Sequence, residues 1–206
     1  MNVALLKSLN ALRARRQAAI LTTDVKTGAQ QLFERGAAPQ DGALREELAA
    51  RFLSGKSGAV DDVFFAVYLP PPRLVIIGAV HISQHMIGPA QAAGFDVTVI
   101  DPRTAFASED RFPGVALHAE WPDEILRDQP LDAYTALAAL THDPKIDDGP
   151  LKAAFEAECF YIGALGSRKT HAQRVARLVE AGVSEEALSR MDAPIGLDIG
   201  AASPAE

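Results

Sequence analysis

The stretch RLVIIGAVHISQHMIGPAQAAGFDVTVIDPR, residues 73–103, carries the main signal for the fold of this chain. Residues 74–77 form an unbroken apolar run, the pattern of a parallel strand whose two faces are both covered by helices. Gly78 ends that run, and apolar residues then recur at helical spacing up to Gly94, which lies where a C-terminal helix cap is expected. Residues 97–100 supply another strand, with Asp101 at its carboxyl end. The stretch therefore predicts the first half of a nucleotide-binding βαβ unit.

The glycine turn of this unit departs from the dinucleotide fingerprint. The second glycine of that fingerprint lets the backbone approach a pyrophosphate, but Val80 stands in its place and His81 follows. A branched side chain crowds a diphosphate, whereas the amides of a helix N-terminus still favour an anion. Two interpretations stay open: a turn that holds a phosphate or another acidic group in a different pose, and a plain turn that binds nothing. Asp101 lies where this fold places an acid to accept hydrogen bonds from a ribose.

Composition excludes several classes of partner. The formal charge of −7 on 206 residues disfavours non-specific binding to nucleic acid or to an anionic membrane, since both rest on positive charge. Cys159 is the only cysteine, so no intramolecular disulfide forms and a reducing compartment is indicated. No apolar run is long enough to span a bilayer. We therefore expect a cytoplasmic protein with neither nucleic acid nor membrane as a partner.

Three consecutive prolines, residues 70–72, divide the chain, because they interrupt helices and strands and form a stiff linker. Before them, the pattern predicts helices over residues 5–12 and 44–53 and strands over residues 18–23, 31–33 and 63–69. We therefore predict a small N-terminal α+β domain over residues 1–69 and a second domain over residues 70–206.

The second domain continues as alternating strands and helices. Further strands are predicted over residues 115–118, 134–140 and 160–162, with helices over residues 123–127 and 151–158. This order predicts an α/β fold with a doubly wound parallel sheet of the Rossmann type, whose first and fourth strands lie side by side at the switch point. Ligands of such sheets bind beyond the carboxyl ends of the strands. Three loops are expected to surround that crevice: residues 78–81, 141–143 and 163–167.

The last of these loops carries the densest chemistry. Gly163 and Gly166 allow close backbone approach, and Ser167 offers a hydroxyl. Arg168 and Lys169 bring positive charge to the start of the next helix. Amides, a hydroxyl and an arginine together suit an oxyanion or a phosphate. The alternative is a glycine-rich connection whose cations are simply solvated.

The start of the helix after this loop is predicted from a capping box. Thr170 and Gln173 have the required spacing, in which the threonine caps the helix and the glutamine reaches back to it. This places the first turn of the helix at the crevice.

The loop after the fourth strand combines an imidazole with carboxylates. Thr141, His142 and Asp143 are followed by two further aspartates, a set suited to acid and base chemistry or to a metal. An aspartate before proline is also a common turn opening, and a local structural role for much of this loop is the simpler interpretation.

Two other features suggest chemistry that we do not expect. His81 and His85 have the spacing of a helical zinc pair, but Ile82 stands where the metalloprotease motif needs its glutamate. We predict no metal site there. Cys159 precedes a buried strand and has no cation nearby in sequence to lower its pKa, which predicts an inert core thiol.

From residue 71 onward the chain resembles the C-terminal domain of the xanthine dehydrogenase accessory protein family, XdhC/CoxI. The matching segments, in order, are PPRLVIIGAVHISQ, DVTVIDPRTAF, RFP, LTHDPKIDD, FYIGALGSRKTHAQR and APIGLDIGAASPAE. The resemblance covers the second domain well and the first seventy residues weakly. Longer relatives carry a Gly-Gly-Cys segment in a larger N-terminal domain, and this chain has no cysteine before Cys159.

The resemblance implies a molybdenum-cofactor chaperone rather than an enzyme. Members of this family bind the finished molybdenum cofactor, molybdopterin or its dinucleotide form, and assist its sulfuration. They deliver it to the apoenzyme of a molybdenum hydroxylase of the xanthine or carbon monoxide dehydrogenase type. A cysteine desulfurase as sulfur donor and a homodimeric assembly are implied as well. An acidic phosphate on a pterin suits a Rossmann-like crevice that favours phosphate.

Carried over position by position, the resemblance implies cofactor-binding residues on five segments. They are Gly78, Ala79, Val80, His81, Asp101, Arg103, Thr141, His142, Asp143, Gly163, Gly166, Ser167, Arg168, Gly196 and Asp198. The glycine loops and Arg168 are expected to contact phosphate. Asp101 and Arg103 are expected to order the second loop or to touch a nucleotide, and Asp198 to hold the tail against the crevice.

Two alternatives remain at this point. A NAD(P)-dependent oxidoreductase would use the same fold and Asp101, although Val80 disturbs the diphosphate turn and no Tyr and Lys pair suggests a proton relay. A regulatory nucleotide-binding module would keep the crevice without any molybdenum.

Overall fold

The computed structural model describes residues 3–36, 42–201 and 203–204, and the chain forms two compact units, Met1–Pro70 and Pro71–Glu206. The first unit is an antiparallel sheet in the strand order β2-β1-β4-β3 with two helices. Its elements are α1 (Val3–Ala14), β1 (Ala19–Asp24), β2 (Gln30–Glu34), α2 (Gly42–Ser54), β3 (Gly58–Val60) and β4 (Val63–Tyr68).

Both faces of this small sheet are covered by helices. Ile20 on β1 packs with Leu48 of α2, while its neighbour Ala19 packs with Leu9 of α1. Successive residues of a strand point to opposite faces, so a single strand contributes to two small cores. The three-residue strand β3 was missed, because a run of that length carries no alternation that sequence can reveal.

The second unit is a six-stranded sheet in the order β10-β9-β8-β5-β6-β7, and every adjacent pair is parallel. Its elements are β5 (Arg73–Ile77), α3 (His81–Ala92), β6 (Asp96–Ile100), β7 (Ala116–His118), α4 (Pro122–Asp128), β8 (Thr135–Ala139), α5 (Pro144–Glu156), β9 (Tyr161–Ala164), α6 (Arg168–Glu180), α7 (Glu185–Leu188) and β10 (Met191–Asp192). The predicted fold is confirmed, including the first and fourth strands of the sheet, β5 and β8, as neighbours.

Alternate residues of the central strand β5 enter different cores. Leu74 and Ile76 pack on the same side as Ile87 of α3, whereas Val75 and Ile77 pack with α5 on the other side. A strand buried on both faces needs a continuous apolar sequence, and this is the run from which the strand was predicted.

Three details differ from the sequence expectations. Helix α5 begins at Pro144, two turns earlier than predicted, because Gly149 and Pro150 interrupt the helical pattern without ending the helix. Helix α7 and strand β10 were not predicted, and they span only four and two residues.

Among the described residues, no helix has the length and apolar character needed to cross a membrane.

Candidate functional site at the carboxyl edge of the sheet

The loops predicted to surround the crevice begin at one edge of the sheet. Gly78 N–H donates to Ile100 C=O at 2.8 Å, and Leu165 N–H donates to Ala139 C=O at 2.8 Å. These bonds continue the parallel ladder past the last residues of β5 and β9. The structure therefore brings together the loops after β5, β6, β8 and β9, as the Rossmann topology requires.

The loops after β5 and β8 touch at Gly78. This glycine has a φ of +116°, and a Cβ built on it would lie 2.9 Å from Thr141 Cγ2 and 3.3 Å from the Thr141 amide nitrogen. Any side chain would collide with Thr141, so only glycine fits. The space between these two loops is consequently filled by Thr141.

Asp101 is fully buried, and its carboxylate ties two loops together. Oδ2 accepts hydrogen bonds from Ala79 N–H at 2.8 Å and Arg103 Nη2 at 2.7 Å. Oδ1 accepts from the amide and the Nε of Arg103, both at 2.9 Å. All four acceptor positions of the carboxylate are used, so a ribose hydroxyl would have to displace one of these donors.

The electrostatics of Asp101 follow from these contacts. Burial by itself raises the pKa of a carboxyl, but the hydrogen bonds from Arg103 and from the Ala79 amide outweigh burial and lower the pKa of Asp101. Hydrogen bonding to Asp101 in turn raises the pKa of Arg103. The pair therefore stays ionised and orders the loops after β5 and β6.

A second guanidinium strengthens the same corner. Arg111 Nη1 donates to the Ala79 carbonyl at 3.1 Å and to the Phe106 carbonyl at 2.6 Å. Arg103 lies 4.6 Å from the centre of the Phe106 ring. The peptide of Ala79 in the first loop is thus held by the Asp101 carboxylate at its amide and by Arg111 at its carbonyl.

The loop after β8 is organised by its own hydrogen bonds. Thr141 Oγ1 donates to Asp147 Oδ1 at 2.7 Å and accepts from the Asp143 amide at 3.0 Å. Asp143 caps α5 by accepting from Lys145 N–H at 3.0 Å. His142 between them is exposed and has a φ of +63°, a conformation that costs energy for a residue other than glycine. Thr141 and Asp143 thus have structural partners, and His142 occupies a strained turn.

The turn from β9 to α6 is capped differently from the prediction. Ser167 is the N-cap, and its Oγ accepts from Thr170 N–H at 3.2 Å, so α6 begins at Arg168. The capping box from Thr170 to Gln173 is therefore wrong. Gly166, with a φ of +148°, turns the chain sharply enough to place Ser167 ahead of the helix. Ser167 and Arg168 are exposed at the edge.

A buried ion pair beneath this turn was missed by sequence reasoning. Arg174 on α6 and Asp147 on α5 are 2% and 1% exposed, and Arg174 Nη2 lies 3.9 Å from Asp147 Oδ2. Nη2 also donates to the Leu165 carbonyl at 2.9 Å. Burial raises the pKa of Asp147 and lowers the pKa of Arg174. The available signal was an arginine on the apolar stripe of a helix, four residues before Leu178.

The ion pair has hydrogen-bonding capacity left. Within the described part of the chain, Arg174 Nε and Nη1 and Asp147 Oδ2 have no hydrogen-bond partner. Most buried polar atoms in proteins do have one, and those that lack one need an explanation.

The late segment lies beside the loops rather than among them. Ile195 N–H donates to the Ala164 carbonyl at 3.0 Å, and a Cβ on Gly163 would lie 2.5 Å from Ile195 Cδ1. Gly163 is therefore covered by the tail. The chain then crosses the α3 side of the sheet, where Gly196 lines a groove of about 610 Å³ and Asp198 is exposed.

The remaining candidates have simple environments. His81 and His85 are exposed, with their Nε2 atoms 3.2 Å apart. Among the residues that the structure describes, no group of three or more His, Cys, Asp or Glu side chains is arranged to hold a metal. Cys159 is fully buried, and burial raises the pKa of its thiol to about 12.

Comparison with known proteins supports this architecture. Residues 74–206 match the family model described as the XdhC Rossmann domain. The chain is 33% identical over 130 residues to the molybdenum cofactor insertion chaperone PaoD of Escherichia coli K12, covering 63% of this chain and 35% of that protein. It is 31% identical over 146 residues to a probable xanthine dehydrogenase component of Bacillus subtilis 168, covering 70% of this chain and 42% of that protein.

The solved structures agree at the level of the fold. A crystal structure described as a xanthine dehydrogenase from Bacillus halodurans superposes with a TM-score of 0.61 at 22% identity, over 98% of this chain and 60% of that one. The chain spans less than half the length of PaoD and of the Bacillus subtilis relative. By its Rossmann domain, the chain belongs to the XdhC family.

Proposed function

We propose that this protein binds the molybdenum cofactor and delivers it to a molybdenum hydroxylase. The observation that carries the proposal is the family match over residues 74–206, together with the likeness to a molybdenum cofactor insertion chaperone. On this proposal the protein is an accessory protein in enzyme maturation rather than an enzyme.

The geometry at the sheet edge supports a ligand with an acidic group. Helix α6 starts there with an exposed Ser167 and Arg168, and its N-terminal amides favour an anion. We propose that the loops after β5, β6, β8 and β9 form one receptor for the pterin and its phosphate. Gly196 and Asp198 would contact the ligand only where the tail borders these loops.

The nicotinamide alternative is disfavoured by the first loop. Asp101, the candidate partner of a ribose, already accepts four hydrogen bonds. Thr141 fills the space beside Gly78, and Val80 occupies the N-cap of α3. A dinucleotide in the usual Rossmann pose would have to displace these groups.

The finer parts of the role are proposals as well. They comprise sulfuration of the bound cofactor, a cysteine desulfurase as donor, a recipient of the xanthine or carbon monoxide dehydrogenase type, acceptance of the dinucleotide form, a homodimer and a cytoplasmic location. Because Cys159 is buried with a raised pKa, we propose that sulfur reaches the bound cofactor without passing through a thiol of this chain.

The proposal is tested by titrating the purified protein with freshly released molybdenum cofactor. Complexes are separated by gel filtration and quantified by pterin fluorescence after oxidation. We expect near-stoichiometric retention that an unrelated Rossmann protein does not show. Binding of NAD or NADP without retention of pterin would contradict the proposal.

One substitution connects the test to the site. Arg168→Ala removes an exposed cation at the start of α6, and we expect retention to weaken about tenfold if that cation contacts the phosphate. Lys152→Ala, a partly exposed cation on α5, is the matched control and should bind as the parent does. Equal retention by the parent and Arg168→Ala would remove Arg168 from the site.

A further inference from the structure

We infer that the phosphate subsite of this fold lies at the turn from β9 to α6, where the buried guanidinium of Arg174 binds the anion, and not at the first turn after β5. The inference rests on the proposed function for the identity of the ligand, since the phosphate would be that of the molybdenum cofactor. It departs from the Rossmann convention, in which the first turn holds the phosphate.

The first turn is less suited to an anion than the turn before α6, although α3 also begins without a side-chain cap. The amide of Ala79 already donates to Asp101 at 2.8 Å, so an anion there would compete with a buried carboxylate. No space for an anion is left between Gly78 and the loop after β8, because the side chain of Thr141 packs against Gly78. The N-cap of α3 is Val80, whose branched side chain offers no hydrogen bond.

The start of α6 has two amides that precede its helical ladder. Thr170 N–H is capped by Ser167, and His171 N–H begins the helical ladder by donating to the Ser167 carbonyl at 2.8 Å. The amides of Arg168 and Lys169 precede that ladder, and amides at these positions have no acceptor within a helix. No acidic side chain lies in the first turn of α6.

The buried guanidinium of Arg174 is a second, independent feature that points to a ligand. Its side chain runs back from the second turn of α6, and Nη2 is anchored on the Leu165 carbonyl at the base of the turn. Nη1 lies 3.8 Å from the position of a Cβ on Gly166. Among the described residues, neither Nη1 nor Nε has a hydrogen-bond partner, although the residue is only 2% exposed.

Asp147 neutralises the charge of Arg174 without accepting hydrogen bonds from its donors. At 3.9 Å from Nη2, the carboxylate is too distant for a hydrogen bond, and its Oδ1 is engaged by Thr141. A guanidinium carries five N–H donors, so the donors on Nε and Nη1 remain available to the oxygens of an anion. Beside Gly166, the position of a Cβ lies 3.2 Å from Thr170 Cγ2 and 3.8 Å from Arg174 Nη1, so an anion that binds Nη1 would displace the Thr170 side chain.

The chain offers a matched control pair. Arg177 and Asp148 also connect α6 to α5, with Arg177 Nε 2.5 Å from Asp148 Oδ2, but this pair is partly exposed and joined by two hydrogen bonds. The double variant Arg174→Met/Asp147→Leu removes both buried charges together, which avoids leaving one uncompensated. Arg177→Met/Asp148→Leu removes the two charges of the partly exposed pair, one turn farther from the subsite.

The first measurement uses inorganic phosphate as the probe. Melting temperatures of the whole protein are recorded in increasing phosphate, against chloride at equal ionic strength. We expect phosphate to raise the melting temperature of the parent and of the control variant, and not of the Arg174 variant. An equal rise in all three proteins would overturn the inference.

The second measurement is cofactor retention by the same proteins. We expect the Arg174 variant to retain cofactor at least about tenfold less well than the control variant. Equal retention by parent and variant would remove the subsite and leave the proposed function standing. A phosphate effect that depends on Arg174, in a parent that retains no cofactor, would keep the subsite and remove the proposed function.

A conservative variant covers the case in which the double variant does not fold. Arg174→Lys keeps the charge but loses the planar array of donors, so we expect it to fold and to show a reduced phosphate effect. A full phosphate effect in Arg174→Lys would contradict binding by the guanidinium.

Discussion

At the scale of single residues, Asp101 connects the chemistry of the edge to the stability of the fold. Its carboxylate is fully buried and joins the Ala79 amide to the Arg103 side chain. The sequence indicated an acid at this position, with Arg103 two residues away. It did not indicate the amide of Ala79, which comes from the loop after β5.

Asp101→Asn should change how stability depends on pH. Because the pKa of Asp101 is lower in the folded state, the ionised carboxyl stabilises the fold above its unfolded pKa. This stabilisation is lost as the pH falls through the folded pKa. We expect the variant to be about 3 kcal/mol less stable at pH 7, and to lose less stability than the parent as the pH falls below about 4.

Urea denaturation at a series of pH values measures both effects. Asp110→Asn, at an exposed position two residues before Phe112, serves as the control and should follow the parent. A variant whose stability falls with acid as steeply as that of the parent would show that Asp101 does not contribute to acid sensitivity.

Gly78→Ala tests the contact between the loops after β5 and β8. The new Cβ would meet Thr141 Cγ2 at 2.9 Å and two backbone atoms at 3.3 and 3.4 Å, on top of the strain of a positive φ. Gly94→Ala has a φ of +87° with nothing within 4 Å, so it carries the strain alone. We expect a loss of about 1 kcal/mol at Gly94 and about 2–4 kcal/mol at Gly78.

The measurement is the free energy of unfolding of both variants in denaturant. Equal losses would mean that the loops move apart easily, and that Thr141 does not close the space beside Gly78.

At the scale of elements, the sequence patterns located most helices and strands and misjudged several ends. Helix α5 was predicted too short because Gly149 and Pro150 read as breakers. Pro150 is the seventh residue of the helix. It has no backbone N–H to donate to the preceding turn, but its ring is buried, which offsets that loss. The better signal was Asp143 followed by Pro144, an N-cap and a first-turn proline.

The start of α6 gives a direct test of helix capping. Ser167→Ala removes the side chain that accepts from Thr170 N–H, and we expect a loss of about 1 kcal/mol in the free energy of unfolding. Gln173→Ala changes an exposed side chain on the same helix and should leave stability nearly unchanged. Both follow from urea denaturation monitored by circular dichroism. The opposite order of effects would restore the capping box of Thr170 and Gln173.

At the scale of the whole molecule, each unit has its own apolar interior. The two apolar clusters of the first unit are built from residues within the range 9–68 of the chain. Those of the second unit are built from residues within the range 74–195. The Pro71–Glu206 unit buries both faces of a six-stranded sheet, which is a complete core for a domain of that length.

Residues 71–206 expressed alone should therefore fold. We expect a single cooperative transition in urea, with a midpoint close to that of the same unit in the whole chain. Circular dichroism and the fluorescence of Trp121, the one tryptophan, measure it in both proteins. A fragment that unfolds without a cooperative transition would contradict the assignment of residue 70 as a domain boundary.

Local sequence patterns were sufficient to establish the Rossmann fold, the order of its central strands and the loops that meet at the carboxyl edge. Apolar runs, glycine turns and the one topology that connects them carry this information. Only the folded chain shows which polar groups already have hydrogen-bond partners and which do not. Folding brings the Ala79 amide to Asp101, fills the space beside Gly78 with Thr141, and buries Arg174 beside Asp147. These contacts join residues from different elements, so no local pattern contains them.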